Sequence, residues 1–250
     1  MAETLFLDPW RCSTAIGVAN RRPLYICVSG NSGSGKSTLL RLLGQHIQDS
    51  LGNTIAIDEN SLHHPFIDRL FHDPEAFSFE IQLNFMVQRC LVVKRWLAAG
   101  YNVIMERSHP EDLIFIRHLL AENLVTKQEH DAYTAMWEAL AGRLRWPDLI
   151  VFFDLPSDIS LQRLNEAEDT GLRPREFPNE ALKKKWLESW QHLYKDRLRE
   201  LQRDPSIPGP RLIVLSGGED RATIPSAVFQ AARELIAACS VSVTEEARAK

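Results

Sequence analysis

The chain has 250 residues, 44% of them hydrophobic, enough to bury one large core in a single α/β domain. Its net charge of −4 comes from 29 basic and 33 acidic residues that are interspersed, so no basic stripe argues for nucleic acid and a small anionic ligand fits better. Cys12, Cys27, Cys90 and Cys239 form no C-x-x-C pair, which points to reduced thiols and a cytoplasmic setting rather than a disulfide framework or a zinc site. No apolar stretch approaches the ~20 residues of a membrane span, and Asp8, Pro9 and Arg11 interrupt any signal-peptide core.

Residues 1–22 lack sustained periodicity and read as a flexible N-terminal extension, with the domain occupying 23–239 and a polar tail 240–250. Leu24 to Val28 is an apolar run expected to be the first strand. It leads into Gly30-Asn31-Ser32-Gly33-Ser34-Gly35-Lys36-Ser37, which fits the phosphate-binding pattern G-x-x-x-x-G-K-[ST]. Glycines there let backbone N–H groups converge on phosphate oxygens, Lys36 neutralises the β/γ-phosphates, and the Ser37 hydroxyl can ligate Mg²⁺. From Thr38 the residues are strong helix formers, so a helix N-terminus adds its positive dipole end to the same site. A nucleoside triphosphate is the expected ligand.

Further strands are predicted at 54–57, 101–105, 149–153 and 211–215, and helices at 75–99, 111–122, 127–143, 157–167, 178–203 and 222–238. Strands alternating with helices imply a five-stranded parallel sheet covered on both faces, with ligands at the carboxyl ends of the strands. Just past the second strand stand Asp58 and Glu59, and just past the third stand Glu106, Arg107 and Ser108. Phosphoryl transfer needs a metal ligand, a group to take or orient the attacking hydroxyl, and cations to offset charge on the transferred group, and these residues supply all three. Asp154 ends the fourth strand in the manner of a Walker B aspartate and competes for the metal role. Gln82 and Arg89 are seven apart on the long helix, so they share a face with Phe85 and Met86 between them, a pattern that suits a planar ligand.

Together these residues resemble the deoxynucleoside kinase family. The likeness rests on four features in order: the loop GNSGSGKST, Glu59, the run LFHDPEAFSFEIQ ending at Gln82 with Arg89 seven residues on, and Glu106-Arg107-Ser108 matching an E-R-S signature. It implies a P-loop kinase fold with a lid segment at about 163–180, and transfer of the ATP γ-phosphoryl to the 5′-hydroxyl of a nucleoside. By the same resemblance Glu59 is the base, Arg107 holds the hydroxyl region and the phosphoryl, and Glu106 joins Ser37 on Mg²⁺. Gln82, Arg89 and Asp112 read a purine or cytosine base, the lid arginines Arg173 and Arg175 join Thr38 and the loop around ATP, and the chain forms a homodimer without nucleic-acid or membrane partners.

Three positions depart from the family pattern. Phe71 stands where a tyrosine usually meets the sugar 3′-hydroxyl, which suggests a modified sugar or relaxed sugar selectivity. The ring-stacking phenylalanine is expected at Ile116, with Phe115 one place earlier. Acidic residues Glu166, Glu168 and Asp169 split the lid arginines, which include Arg163. Two other readings stay open: a P-loop kinase acting on a nucleoside monophosphate or a non-nucleoside alcohol, for which Arg69 and Arg117 are the unassigned cations, and a nucleotide-binding regulator without turnover.

Overall fold

The computed structural model describes residues 22–59, 62, 67–70, 73–175, 177–203, 211–217 and 222–248. Five strands, β1 (Tyr25–Gly30), β2 (Thr54–Ile57), β3 (Asn102–Glu106), β4 (Leu149–Phe153) and β5 (Arg211–Leu215), pair in the order β2-β3-β1-β4-β5. Every pairing is parallel. The helices are α1 (Lys36–Leu51), α2 (Ile67–Leu70), α3 (Pro74–Ala98), α4 (His109–Ala121), α5 (Lys127–Leu140), α6 (Ser157–Asp169), α7 (Glu180–Arg203) and α8 (Ser226–Arg248).

The sheet is α/β with both faces covered, and the alternation of its central strands shows how. Ile26, Val28 and Ile104 face one way, onto Leu39, Leu43 and Ile47 of α1 and Val228 and Ala231 of α8. Tyr25, Val103 and Met105 face the other, onto Ile81, Phe85 and Val93 of α3. Burial on both sides explains why these strands read as unbroken apolar runs. With β1 central and the chain winding first to one side and then to the other, the carboxyl end of β1 lies at a topological switch point. The phosphate loop leaves from that end.

The expected strands all form, each within one or two residues of its predicted bounds. The helices differ more: α5 ends at Leu140 rather than 143, and α8 begins at Ser226 rather than 222. The four-residue α2 has no counterpart in the sequence reading, being too short to show a period. Helix α6 continues to Asp169, so the first part of the expected lid is helical and the non-helical connection is short. Helix α8 runs on to Arg248, past Cys239, where a polar tail was expected. Residues 1–21 lie outside the described residues, and no helix among the described residues is long and apolar enough to cross a membrane.

Candidate active site

The donor half is built by the turn between β1 and α1. Gly30, Gly33 and Gly35 adopt positive φ of 136°, 72° and 103°, a region that side chains rarely reach. A Cβ on Gly30 would stand 2.8 Å from the Phe153 carbonyl oxygen, and one on Gly33 2.8 Å from that of Ser160, so both positions also lack room. Asn31 ties the loop down: its Nδ2 donates to the Leu187 carbonyl of α7 at 2.7 Å, and its Oδ1 accepts from the Ser32 amide at 2.9 Å. Lys36 opens α1, buried, with Nζ donating to the Asn31 carbonyl at 2.8 Å and lying 3.4 Å from Glu106 Oε1. Burial pushes its ammonium below the usual lysine range, against the pull of Glu106. Ser37 Oγ donates to Glu106 Oε2 at 2.8 Å, so a hydroxyl and a carboxylate meet where β3 ends beside the loop.

Beside the loop lies an open cleft lined by Ser34, Gly35, Thr38, Leu42, Arg163 and Pro225 among others. Arg163 of α6 reaches back to it, donating to the Ser34 carbonyl at 3.2 Å. Arg175, by contrast, is an exposed residue paired with Asp169 at 3.0 Å. Arg173 is half-buried and caps α6 through its backbone, the amide donating to the Ala167 carbonyl. Arg163 thus touches the loop, because helix α6 carries it toward Ser34, while Arg175, beyond the end of that helix, points to the surface.

The acceptor half centres on Glu59, which follows β2. Arg107 Nη1 donates to its Oε1 and Oε2 at 2.8 and 2.6 Å, and Arg89 Nη2 donates to Oε1 at 3.0 Å. Burial alone would raise the Glu59 carboxyl, but the guanidiniums of Arg107 and Arg89 outweigh it and hold the group at about 2. Arg107 itself has φ +55°, uncommon for a non-glycine residue, and this left-handed turn redirects the chain between β3 and α4.

Arg89 is buried on α3 and bridges two carboxylates, with Nη1 donating to Asp112 Oδ1 and Nη2 to Glu59. Asp112 sits in the first turn of α4, where the helix dipole favours a carboxylate. Burial still dominates there and raises its carboxyl to about 6 despite Arg89. Gln82, two turns back on the α3 face that carries Arg89, is also buried. Among the described residues, Gln82 Oε1, Asp112 Oδ2 and Arg89 Nε are buried without a hydrogen-bond partner. Such atoms cost free energy unless something pairs with them.

Phe115 completes the wall. Its ring centre is 5.9 Å from the Arg89 guanidinium carbon and 5.3 Å from that of Arg107. Ile116, the position expected to stack on a ring, is fully buried instead among Met86, Cys90, Tyr133 and Trp137. One residue along a helix rotates the side chain by about 100°, so residues 115 and 116 cannot both face the same pocket. Phe71 lies outside the described residues. Asp154 faces Lys195 at 3.8 Å, whereas Glu106 is the carboxylate on Ser37. The sequence reading missed Glu111, a buried carboxylate that accepts from the Tyr194 hydroxyl at 2.7 Å; an acid in a first helical turn reads as an ordinary dipole complement.

The sequence model of the family described as deoxynucleoside kinase matches residues 26–223. A deoxyadenosine/deoxycytidine kinase of Bacillus subtilis is 30% identical over 164 residues, 65% of this chain and 71% of that protein. A deoxyadenosine kinase of Dictyostelium discoideum is 23% identical over 179 residues, covering 72% and 68%. A solved structure of deoxyadenosine kinase from M. mycoides with bound dATP shares the fold, with a TM-score of 0.62 and 19% identity over 83% of this chain and 98% of that one. With a family match across most of the sheet and its helices, the chain belongs to the deoxynucleoside kinase family.

Proposed function

We propose that the chain transfers the γ-phosphoryl of ATP to the 5′-hydroxyl of a deoxynucleoside whose base is a purine or cytosine bearing an exocyclic amino group. The observation that carries the choice of base is the pair of buried, unpartnered acceptors, Asp112 Oδ2, on the carboxylate that pairs with Arg89, and Gln82 Oε1, two turns from Arg89 on one helix face. Free acceptors call for a donor on the ligand, and an amino group on the base edge supplies one. Relatives named for deoxyadenosine and deoxycytidine support the same class.

In this reading Glu59 accepts the hydrogen bond, and finally the proton, of the 5′-hydroxyl. Held at about 2, it is ionised throughout the working range. A weak base suffices, because in a loose phosphoryl-transfer transition state the attacking oxygen needs orientation more than early deprotonation. Arg107, beside Glu59, offsets charge on the transferring group. Lys36 neutralises the phosphates, and the loop amides of residues 30–37 bind their oxygens, with Thr38 and Arg163 bordering the cleft for the donor's base. Ser37 and Glu106 form a hard oxygen donor pair that fits Mg²⁺, which usually takes one or two protein oxygens and completes its shell with phosphates and water. When bound, Mg²⁺ neutralises phosphate charge and orients the triphosphate.

A monophosphate acceptor would need cations at the acceptor site, yet Arg117 pairs with Glu200 at the surface at 3.2 Å and exposed Arg69 stacks over Phe77. A homodimer in the cytoplasm belongs to the same proposal, in keeping with the buried thiols of Cys27 and Cys90, which form no disulfide among the described residues. The test follows ADP formation from ATP and Mg²⁺ with a panel of nucleosides, monophosphates and sugars. Turnover with monophosphates and with no nucleoside would sink the reading, and sedimentation reads the dimer directly.

A further inference from the structure

Among the described residues two lysines are buried: Lys36 at the phosphate loop, and Lys183, for which the transfer reaction has so far no task. Lysine is almost never buried without a partner. Lys183 Nζ donates to Glu168 Oε2 at 2.5 Å and to Asn165 Oδ1 at 2.8 Å, and the side chains of Lys183 and Glu168 are each 7% exposed. The contact joins the C-terminal end of α6 to the first turn of α7. Its polarity runs against both helices, with the carboxylate at the negative end of α6 and the ammonium at the positive end of α7, where each dipole favours the opposite charge. Neither charge supports its own helix, and a buried ion pair is weak evidence of stabilisation, since apolar replacements are often neutral or better.

Each charged partner lies one helical turn from a residue that touches the phosphate loop. On α7, Leu187 follows Lys183 by four residues, and its carbonyl accepts from Asn31 Nδ2 at 2.7 Å. On α6, Leu164 precedes Glu168 by four residues, and its Cγ would stand 3.1 Å from a Cβ on Gly33, so the loop backbone packs directly against it. Arg163, beside Leu164, donates to the Ser34 carbonyl at 3.2 Å. The loop is therefore held by α7 at Asn31 and by α6 at Gly33 and Ser34. One turn beyond Leu187, Gln191 ties the other end of the helix pair: its Oε1 accepts from the Ser157 amide and its Nε2 donates to the Leu155 carbonyl, both at 3.3 Å. The two helices are fastened on either side of the level at which they meet the loop.

We propose that Lys183 and Glu168, with Asn165, form a latch that fixes the spacing of α6 and α7 and thereby positions the phosphate loop for the donor triphosphate. The inference rests on the donor role given to the loop above and needs nothing of the acceptor assignment. The loop serves phosphate through backbone N–H groups, whose directions follow the path of the backbone, so a shift of either helix turns those donors away from the oxygens they meet. Without the latch the helices stay tied at Gln191 and splay at the opposite end. Glu59, Gln82, Arg89 and Asp112 lie on other elements, so the effect falls on ATP and spares the nucleoside.

The experiment compares Lys183→Met, Glu168→Gln, the double variant and Asn31→Ala with the unmodified enzyme, measuring the equilibrium dissociation constant for ATP with Mg²⁺, both KM values and the thermal midpoint. Expected for Lys183→Met is an ATP dissociation constant and ATP KM raised about fivefold or more, with the nucleoside KM within about threefold. The double variant should be no worse than the worse single variant, because both changes remove one contact. It also leaves no lone buried charge, so it decides where a single variant fails to fold. Asn31→Ala, which cuts the tie from α7 to the loop, should weaken ATP binding in the same way. Unchanged ATP affinity in the folded double variant overturns the proposal and leaves a structural staple, and so does an equal rise in both KM values or an Asn31→Ala variant that binds ATP normally. Binding is read without an acceptor, so a chain that binds ATP and turns over no nucleoside contradicts the acceptor reading alone.

Discussion

Arg107 grips Glu59 through a single nitrogen, Nη1, which lies 2.8 and 2.6 Å from the two carboxylate oxygens. The pair joins the carboxyl ends of β2 and β3, and Arg89 extends it to Asp112 on α4. Four charged side chains from four segments therefore form one chain of contacts at the acceptor end, adjacent to the donor loop. Such a network fixes each group's orientation before any ligand arrives, which is the property that lowers the cost of reaching the transition state.

Glu59→Gln keeps the shape and removes the charge. Turnover is expected to fall by about a hundredfold or more, the range for a lost acid–base group, with ATP affinity unchanged. Because the Glu59 carboxyl is held at about 2, its ionisation gives no acid limb in kcat between pH 5 and 8. The linked stability is present above the ordinary carboxylate range and is lost only as pH falls toward about 2. Stopped assays over that pH range, with equilibrium ATP titration, check both statements.

Asp112 behaves in the opposite sense. Its carboxyl is raised to about 6, so the folded protein takes up this proton more readily than the unfolded chain; the linked stability is fully present below the ordinary aspartate range and is lost as pH rises through about 6. Protonation also converts the acceptor into a donor. The KM for the nucleoside should therefore rise as pH drops below 6 while the KM for ATP stays flat, and Asp112→Asn should show a high nucleoside KM without that pH dependence.

Phe115 and Ile116 are adjacent, and their substitutions should separate. Phe115→Ala removes the ring beside Arg89 and Arg107, and should raise the nucleoside KM about three- to tenfold, the worth of one stacking contact. Ile116→Ala opens a cavity among Met86, Cys90 and Trp137 and should cost about 2–5 kcal/mol of stability with KM unchanged. Denaturant unfolding and steady-state kinetics on the same preparations distinguish the two.

Arg163 and Arg175 make a second contrasting pair. Arg163→Ala should reduce kcat/KM for ATP about tenfold or more, as for a charged hydrogen-bonding group at the donor cleft. Arg175→Ala breaks an exposed pair with Asp169 and should leave it unchanged.

The strands, the phosphate loop and the charged residues after β2 and β3 were legible because their signals are local: apolar runs, glycine spacing, and position at a carboxyl end. Gln82 and Arg89 could be placed together because a seven-residue spacing on a helix fixes a common face. The choice between Phe115 and Ile116 was not legible, because spacing along the chain sets a position along α4 but not the rotation of that helix, which is decided by how Tyr133 and Trp137 of α5 pack against it. The contacts of Glu111 and Arg163 were hidden for a related reason. Each matters through a contact more than 80 residues away in sequence, Tyr194 for one and Ser34 for the other, and no local pattern encodes such a meeting.

The choice of base is tested most directly by pairs of nucleosides that exchange the amino group and the ring-nitrogen acceptor beside it for a carbonyl and a ring N–H: deoxycytidine against deoxyuridine, and deoxyadenosine against deoxyinosine. With ATP and Mg²⁺, and with the 5′-monophosphate identified as product, the amino member of the better-used pair should have a kcat/KM higher by about tenfold or more, because its two amino hydrogens can serve Asp112 Oδ2 and Gln82 Oε1 together, whereas the carbonyl member offers a single ring N–H. Parity in both pairs, or preference for the carbonyl members, would contradict the assignment of these two acceptors to the base.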